Sequence, residues 1–439
     1  MTDEKLESAL RHRNFALFLI GQVVSFAGNG IFMVALPLEV LRLTTNPVAL
    51  AVVIGGESLM AVILMLFGGA LVDRLPKRMV LLGANVGSGV AVLIAAALVA
   101  NGRITVWELA VLTLVFGAGN AFIMPASTAI VGDLLPPSLL VPGNSLRELG
   151  FSLGQALSGP LLGGLIVATL GSAWAFSVNG ASFLFAALCL SAMSGLRLAE
   201  PEAAESADVA ESADVAEIAE GQPAGSILHE IRAGFDYTRS QVWLWWNILG
   251  MSLANFSGFL PLLVLEPLLV KKVFLAGAGS LGVILGASGA GGVLGALLVK
   301  FRGAPQARVL GMWSGFLCAG VGVILLGISP NVAVAAASAV LIWGGISYGN
   351  IIWFSTMQEN VPAQLIGRVS SLDWMLSLAA SPIGIVAGAA CADWIGVRPT
   401  LVIGGAITIA SGSVALSRRV RQVGDPAAQP VLSHSGQEA

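Results

Sequence analysis

Twelve apolar runs, each long enough to cross a bilayer, decide what this chain can fold into. A spanning helix needs about 20 mostly apolar residues. Such runs occur at 15–41, 48–72, 79–100, 106–132, 145–169, 172–195, 243–269, 278–299, 307–328, 332–357, 369–392 and 397–417. Only 11% of the 439 residues are charged, where a soluble domain carries roughly 25%. No single core can absorb that much apolar sequence, so the bilayer is the solvent for most of it. The expected fold class is an all-α integral membrane protein with twelve transmembrane helices.

The basic residues give an orientation. With both termini in the cytoplasm, only Arg42, Arg103, Lys271, Lys272 and Arg398 of the 22 Lys and Arg fall on the outer side. This bias predicts an even number of spans with both ends inside. The N-terminus carries Asp3, Glu4, Lys5, Glu7, Arg11 and Arg13 and has no small-residue cleavage site, which argues against a signal peptide. Cys189, Cys318 and Cys391 lie in apolar runs and read as thiols with no metal or redox role.

The connections are short except at 196–242. Residues 199–225 hold a tandem acidic repeat, Glu205-Ser-Ala-Asp208-Val-Ala210 and Glu211-Ser-Ala-Asp214-Val-Ala216, which reads as a linker. Ile227, Leu228, Ile231 and Phe235 then recur at helical spacing and predict an amphipathic helix over 226–240. The two sides of the linker are alike at an offset of about 225. Pro137 matches Pro362, Ser145-x-x-Glu148 matches Ser370-x-x-Asp373, Gly171 matches Gly396, and Gly180-Ala181 matches Gly405-Ala406. Both Ser-x-x-acid stretches read as helix N-caps with an acid in the first turn. The expected organisation is an N-terminal six-helix bundle (1–195), a cytoplasmic linker (196–242), a C-terminal six-helix bundle (243–417) and a cytoplasmic tail (418–439), the bundles being pseudo-symmetric.

The loop between the second and third runs is the most charged short connection: Gly69-Ala-Leu-Val-Asp73-Arg74-Leu-Pro76-Lys77-Arg78. Its Gly69-x3-Asp73-Arg74-x2-Lys77-Arg78 pattern resembles the loop motif of the major facilitator superfamily, with Pro76 in place of the usual second glycine. The resemblance implies a gating latch. Asp73 would meet the N-terminus of span eleven near Ser370, where a helix dipole favours an anion. Lys77 would pair with Asp133 at the end of span four, with Arg74 and Arg78 beside them. The other reading is that these cations serve positive-inside topology alone. The second-half copy has Lys300 where the acid would be, which suggests one latch rather than two.

A second motif, Gly159-Pro160-Leu161-Leu162-Gly163-Gly164, is similar to the signature of the superfamily's drug and proton antiporters. Proline bends a helix and glycines admit a close neighbour. Ordinary glycine-rich packing is the alternative. Further stretches resemble the branch containing macrolide-efflux proteins, Tap-type multidrug pumps and enterobactin exporters: Arg13-Asn14-Phe15, Asn120-Ala-Phe122-x-x-Pro125-Ala126, Asn179-x-x-Ser182-Phe183, and Gln358-x3-Pro362-x4-Gly367-Arg368-Val369-Ser370-Ser371. The resemblance implies outward movement of amphipathic small molecules driven by proton influx. The dipeptide Gly-Lys is absent, so no phosphate-binding loop of that type is present and no nucleotide cofactor is expected.

Glu57 is the deepest acid inside a span and is the candidate proton-coupling residue; a hydrogen-bonded structural acid is the other reading. Glu39 and Glu266, each near a proline at the outer end of a span, either guard the outer mouth or pair with Arg42 and with Lys271 or Lys272. Relatives in the branch often carry Asp after Gly in mid-span one, where this chain has Asn29, which cannot titrate. Either Glu57 has taken over coupling or coupling is altered. His12, His229 and His434 lie outside the spans.

In this superfamily spans one, four, seven and ten line the cavity. The resemblance therefore implies Gln22, Phe26, Asn29 and Phe32, then Asn120 and Phe122, then Asn255, Phe256 and Phe259, then Asn350 and Trp353 as substrate contacts. Helix packing is the alternative for each. The expected protein is no enzyme but a monomeric multidrug or macrolide-type exporter working by alternating access. Its partners would be a small amphipathic substrate, protons and lipid, with no nucleic acid. Alternatives are export of one dedicated product, siderophore or lysophospholipid, or a non-transporting sensor.

Overall fold

The computed structural model describes residues 3–74, 76–194, 235–303, 305–362, 365, 369–370, 372–373, 375–377, 381–417 and 420. The acidic repeat and the tail beyond Val420 lie outside them, as does the predicted amphipathic helix up to residue 234. Residues 235–240 are helical, and Phe235 stacks edge-on against Trp245 with ring centroids 5.6 Å apart.

Eleven helices among the described residues are long and apolar enough to cross a membrane. They are the first span Arg13–Leu43, third Lys77–Ala100, fourth Val106–Thr128, fifth Pro142–Leu170, sixth Ser172–Ser191, seventh Val242–Val273, eighth Ala278–Arg302, ninth Arg308–Ile328, tenth Val332–Asn360, eleventh Met375–Ile395 and twelfth Val397–Ala415. The 28-residue helix Pro47–Arg74 is the second span and completes twelve. A short helix, Asp3–Arg11, precedes the first. The face at which the first span begins is called here the near face, and the opposite one the far face.

The ends of the spans show how the sequence sets them. The fourth opens with a capping box: the Glu108 backbone N–H donates to Thr105 Oγ1 (3.3 Å) and the Thr105 N–H donates to Glu108 Oε2 (2.7 Å). Asn331 caps the tenth by accepting from the Val334 N–H at 3.0 Å. Gly171 and Gly396, matched by the repeat, turn the chain between spans five and six and between eleven and twelve, at φ 89° and 93°. Only glycine adopts that conformation freely. Aromatic side chains stand exposed at both faces: Trp107, Trp174 and Trp394 at the far one, Trp246 and Phe301 at the near one. This is where amphipathic rings meet a bilayer interface.

The predicted cap at Ser145 is not one. The helix begins at Leu140, after a 3₁₀ turn at Pro137–Leu139, so Ser145 lies inside it. Ser370 is likewise helical, after helical Val369.

Spans one to six pack against one another, and spans seven to twelve do the same; the second meets the eleventh and the fifth meets the eighth across the boundary. Repeat-related contacts recur in both bundles. A Cβ on Gly180 would lie 3.1 Å from the Gly89 carbonyl, joining spans six and three, and one on Gly405 would lie 2.7 Å from the Gly320 carbonyl, joining twelve and nine. Such backbone approach replaces the hydrophobic effect, which is absent between helices in lipid.

Among the described residues three stretches are π-helical: Ser152–Ser158, Asn255–Phe259 and Leu269–Val273. Each lies beside a proline, Pro160, Pro261 and Pro267. Proline removes the donor and crowds the carbonyl four residues back, and a wider turn accommodates it in the two stretches that precede Pro160 and Pro261.

Candidate functional site

The Gly159–Gly164 motif faces two ways. A Cβ on Gly159 would lie 2.6 Å from the Cα of Gly30, and one on Gly163 would lie 2.9 Å from the Cα of Ile31, so these two glycines seat span five on span one. Gly164 points across the boundary, where a Cβ would lie 3.0 Å from the Ala278 carbonyl and from the Cα of Gly282 in span eight. The seam continues through Pro160, whose carbonyl would be 2.6 Å from a Cβ on Gly282, to Ala156, whose carbonyl would be 1.9 Å from one on Gly289. Pro160 has no N–H for the Ala156 carbonyl, which is left to face the glycine of the other bundle. At the second boundary, Gly55 of span two lies against Pro382 and Ile385 of span eleven. These contacts run from the middle of the molecule to the far face.

At the far end of the seam lies an open groove of about 450 Å³. Its walls include Arg42, Val167, Ser172, Lys271 and Ala276. Glu39, 1% exposed, also borders it and is held by Arg42, whose Nε donates to Oε1 at 3.0 Å.

The charged loop shows a different arrangement at the near face. Lys77 Nζ lies 2.8 Å from Asp133 Oδ1, pinning the start of span three to the end of span four. Both residues are within the first bundle. Arg78 donates to the Leu190 and Ser191 carbonyls, both at 2.9 Å, and so caps the C-terminal end of span six. The side chains of Asp73 and Arg74 lie outside the described residues, and with them the expected meeting with Ser370. The second bundle carries its own pair: Arg308, at the start of span nine, lies 2.7 Å from Glu359 at the end of span ten. This second pair lies within its own bundle and so does not bear on the expectation of one latch rather than two. Lys300 replaces the counterpart of Asp73, but the Lys77–Asp133 pair has an equivalent of the same sign order.

The predicted cavity residues divide into two sets. Asn29, Asn120, Asn255 and Asn350, one on each of spans one, four, seven and ten, are half-buried, and none has a side-chain hydrogen bond among the described residues. They occupy nearly corresponding places of the internal repeat. Gln22 is buried, with its Nε2 unpartnered. Phe122 and Phe256 are half-buried.

The other aromatic rings are packing elements. Phe32 sits in a cluster with Phe116 (4.8 Å) and Phe176 (5.2 Å), inside the first bundle. Phe26 stacks on Phe151 at 5.1 Å and Phe259 on Phe316 at 6.2 Å. Trp353 is buried against Trp243, and its indole Nε1 donates to Asp373 Oδ2 at 3.0 Å. In this conformation these four pack against other side chains, whereas the amides of the first set have no such partners among the described residues.

Glu57 is half-buried in span two, beside the Gly55 boundary contact. Its backbone carbonyl would lie 2.4 Å from a Cβ on Gly117 of span four, so the residue is wedged against that helix, and its carboxyl has no partner among the described residues. Of the two readings of Glu266, a guard of the outer mouth or a partner of Lys271 or Lys272, the pairing is not seen among the described residues: Glu266 is 3% exposed, with Oε1 unpartnered there.

Two six-helix bundles related by an internal repeat, touching along two seams and carrying on their central spans amides with no side-chain hydrogen bond among the described residues, form a secondary-transporter architecture. The chain belongs to the Major Facilitator Superfamily, whose family model matches residues 18–384. It is similar to the multidrug efflux pump Tap of Mycolicibacterium fortuitum, 28% identical over 397 residues that cover 88% of this chain and 91% of that one. It is also similar to macrolide efflux protein A of Streptococcus pyogenes, 22% identical over 399 residues, with 89% and 92% covered. The fold matches that of a bacterial homologue of the human lysosomal transporter Spinster, solved in an inward-facing, occupied conformation. Its TM-score is 0.68 at 13% identity, covering 92% of this chain and 95% of that one. The protein is therefore a membrane-embedded transporter of small molecules with efflux pumps among its relatives, and not an enzyme.

Proposed function

We propose that this chain exports amphipathic small molecules across a bacterial plasma membrane by alternating access, with protons moving inward in exchange. The observation that carries this reading is the set of four free amides, Asn29, Asn120, Asn255 and Asn350, on the central spans. Each can offer both a donor and an acceptor to a ligand. With half-buried Phe122 and Phe256 on two of the same spans, they suit a ligand with an apolar body and a few polar groups. Export in particular is supported by the efflux relatives and by the glycine–proline seam between spans five and eight, which lets the bundles rock on bare backbone.

The near face is the cytoplasmic one in this reading, from the distribution of Lys and Arg. Residues 1–195 and 243–417 are the moving units, joined by 196–242 and followed by a cytoplasmic tail at 418–439; the working unit is the monomer. The near-face ion pairs Lys77–Asp133 and Arg308–Glu359 brace each unit, while Asp73 and Ser370 close the cytoplasmic side when the far face opens. Glu57 carries the exchanged proton. The test is flux of a fluorescent amphipathic dye and of a macrolide in proteoliposomes, with and without an imposed proton gradient. Gradient-driven movement lost in Glu57→Gln supports the reading, and gradient-independent leakage or no movement of either compound contradicts it.

A further inference from the structure

Glu266 is 3% exposed, and its Oε1 is buried with no hydrogen-bonding partner among the described residues. It lies in Leu262–Leu268, the stretch of span seven nearest the far face. Residues 264–270 of that span are all buried, so no face of the helix there is left to lipid. Span eleven and span twelve of its own bundle pack on this stretch, and so do spans two and one of the other bundle. The residue therefore sits within the far-face closure itself.

A carboxylate buried with an unpaired oxygen is costly, whereas the neutral acid is tolerated. The groups that could compensate it are occupied or elsewhere. On span one, Arg42 is engaged by Glu39. On span two the described candidate is Glu57, a second acid. Span eleven contributes Asp393, which is exposed, and Asp373, held by Trp353 toward the near face. On span twelve, Arg398 donates to the Ser329 carbonyl at 2.8 Å. On span seven itself, Lys271 and Lys272 are exposed and outside any ion pair among the described residues.

We infer that Glu266 is a proton-binding site that couples protonation to closure of the far face, acting beside Glu57 rather than in its place. The neutral carboxyl lets the bundles dock around span seven. Opening of the far face hydrates the side chain, which gives its proton to water or takes one from it, and reclosure requires that one proton be bound. The proton thus enters from the far-face solution and is carried with the closed state. This rests on the proposed exchange with protons, but it is read out without any transported substrate.

The experiment uses full-length protein in proteoliposomes, with Cys189, Cys318 and Cys391 replaced by Ser. Spin labels at Arg103→Cys and Leu275→Cys report the far-face separation by pulsed dipolar spectroscopy. In the parent protein, raising the pH should move the population toward the long distance, by up to about tenfold per pH unit, the limit for one proton. Glu266→Gln, which mimics the neutral acid, should stay at the short distance at every pH. Glu266→Asp should retain the pH response, and Glu57→Gln should retain it at least in part. A pH response of Glu266→Gln equal to the parent's overturns the inference, as does a parent protein with no pH response. If the distances respond as stated while no dye or macrolide is moved, Glu266 keeps its role and the substrate reading fails instead.

Discussion

Gly289→Ala is the sharpest test of the seam between spans five and eight. A Cβ at this position would lie 1.9 Å from the Ala156 carbonyl oxygen and 2.4 Å from its carbon. Contact distance is about 3.3 Å, so the helices must part by more than about 1 Å. The obstacle is backbone on a proline-bent helix and cannot rotate away. Overpacking of this kind costs about 1–3 kcal/mol, and a rigid obstacle falls in the upper part of that range. At about 2–3 kcal/mol, the far-closed conformation should lose roughly 30- to 150-fold in population against conformations with a wider seam. Gly292→Ala is the matched control: it lies one turn away on the same helix, and a Cβ there would meet nothing within 4 Å. Alanine there should add up to about 1 kcal/mol of helix preference with no effect on packing. Far-face distances and dye efflux, measured for both variants in the same liposomes, check the reasoning. Parent-like distances and efflux in Gly289→Ala would refute it.

Other outcomes follow from the same geometry. Arg78→Ala removes two charge-assisted bonds to the end of span six and should lower thermal stability by about 1.5–3 kcal/mol, with Arg78→Lys intermediate; unfolding in detergent measures this. Breaking Lys77–Asp133 should cost little, about 0.2–1 kcal/mol in a double-mutant cycle, because both side chains are substantially exposed; the Arg308–Glu359 cycle should give a similar value. Trp353→Phe leaves both oxygens of Asp373 without a donor among the described residues and should destabilise by about 1–3 kcal/mol. Adding Asp373→Asn to it should recover part of the loss. Gly171→Ala and Gly396→Ala, at φ 89°, ψ 170° and φ 93°, ψ 159°, in a region open essentially to glycine alone, should each cost about 1–3 kcal/mol in the same unfolding assay, as the repeat requires.

The spans were legible because hydropathy over 20 residues depends on composition alone. The turn glycines Gly171 and Gly396 were legible through the repeat, and the nearness of Lys77 and Asp133 through the loop motif. Facing was not legible. Phe32 and Phe122 look alike in sequence, but one packs on Phe116 and Phe176 and the other stands half-buried, a difference that only the rotation of a helix within its bundle decides. The π-helical stretches at Ser152–Ser158 and Asn255–Phe259 leave no hydropathy signal; their trace is a proline two residues beyond each. Ser145 misled because the helix starts earlier, from the turn at Pro137–Leu139. The pair Arg308–Glu359 was missed because the comparison of halves was anchored on Asp73 and Lys300, whereas the recurring element is the cation opening one span and the acid closing the next. The division of labour within Gly159–Gly164, two glycines for span one and one for span eight, needed coordinates.

Proton-coupled export is most directly tested by following protons while substrate moves. Purified protein is placed in liposomes containing a trapped pH-sensitive dye, oriented with its near face outward, and a macrolide is added outside with no gradient imposed. The account predicts that the macrolide enters the lumen and that protons leave it in the same time course, so that the lumen becomes more alkaline, with both fluxes lost in Glu57→Gln. Macrolide entry with a constant lumenal pH, or with acidification, would contradict it.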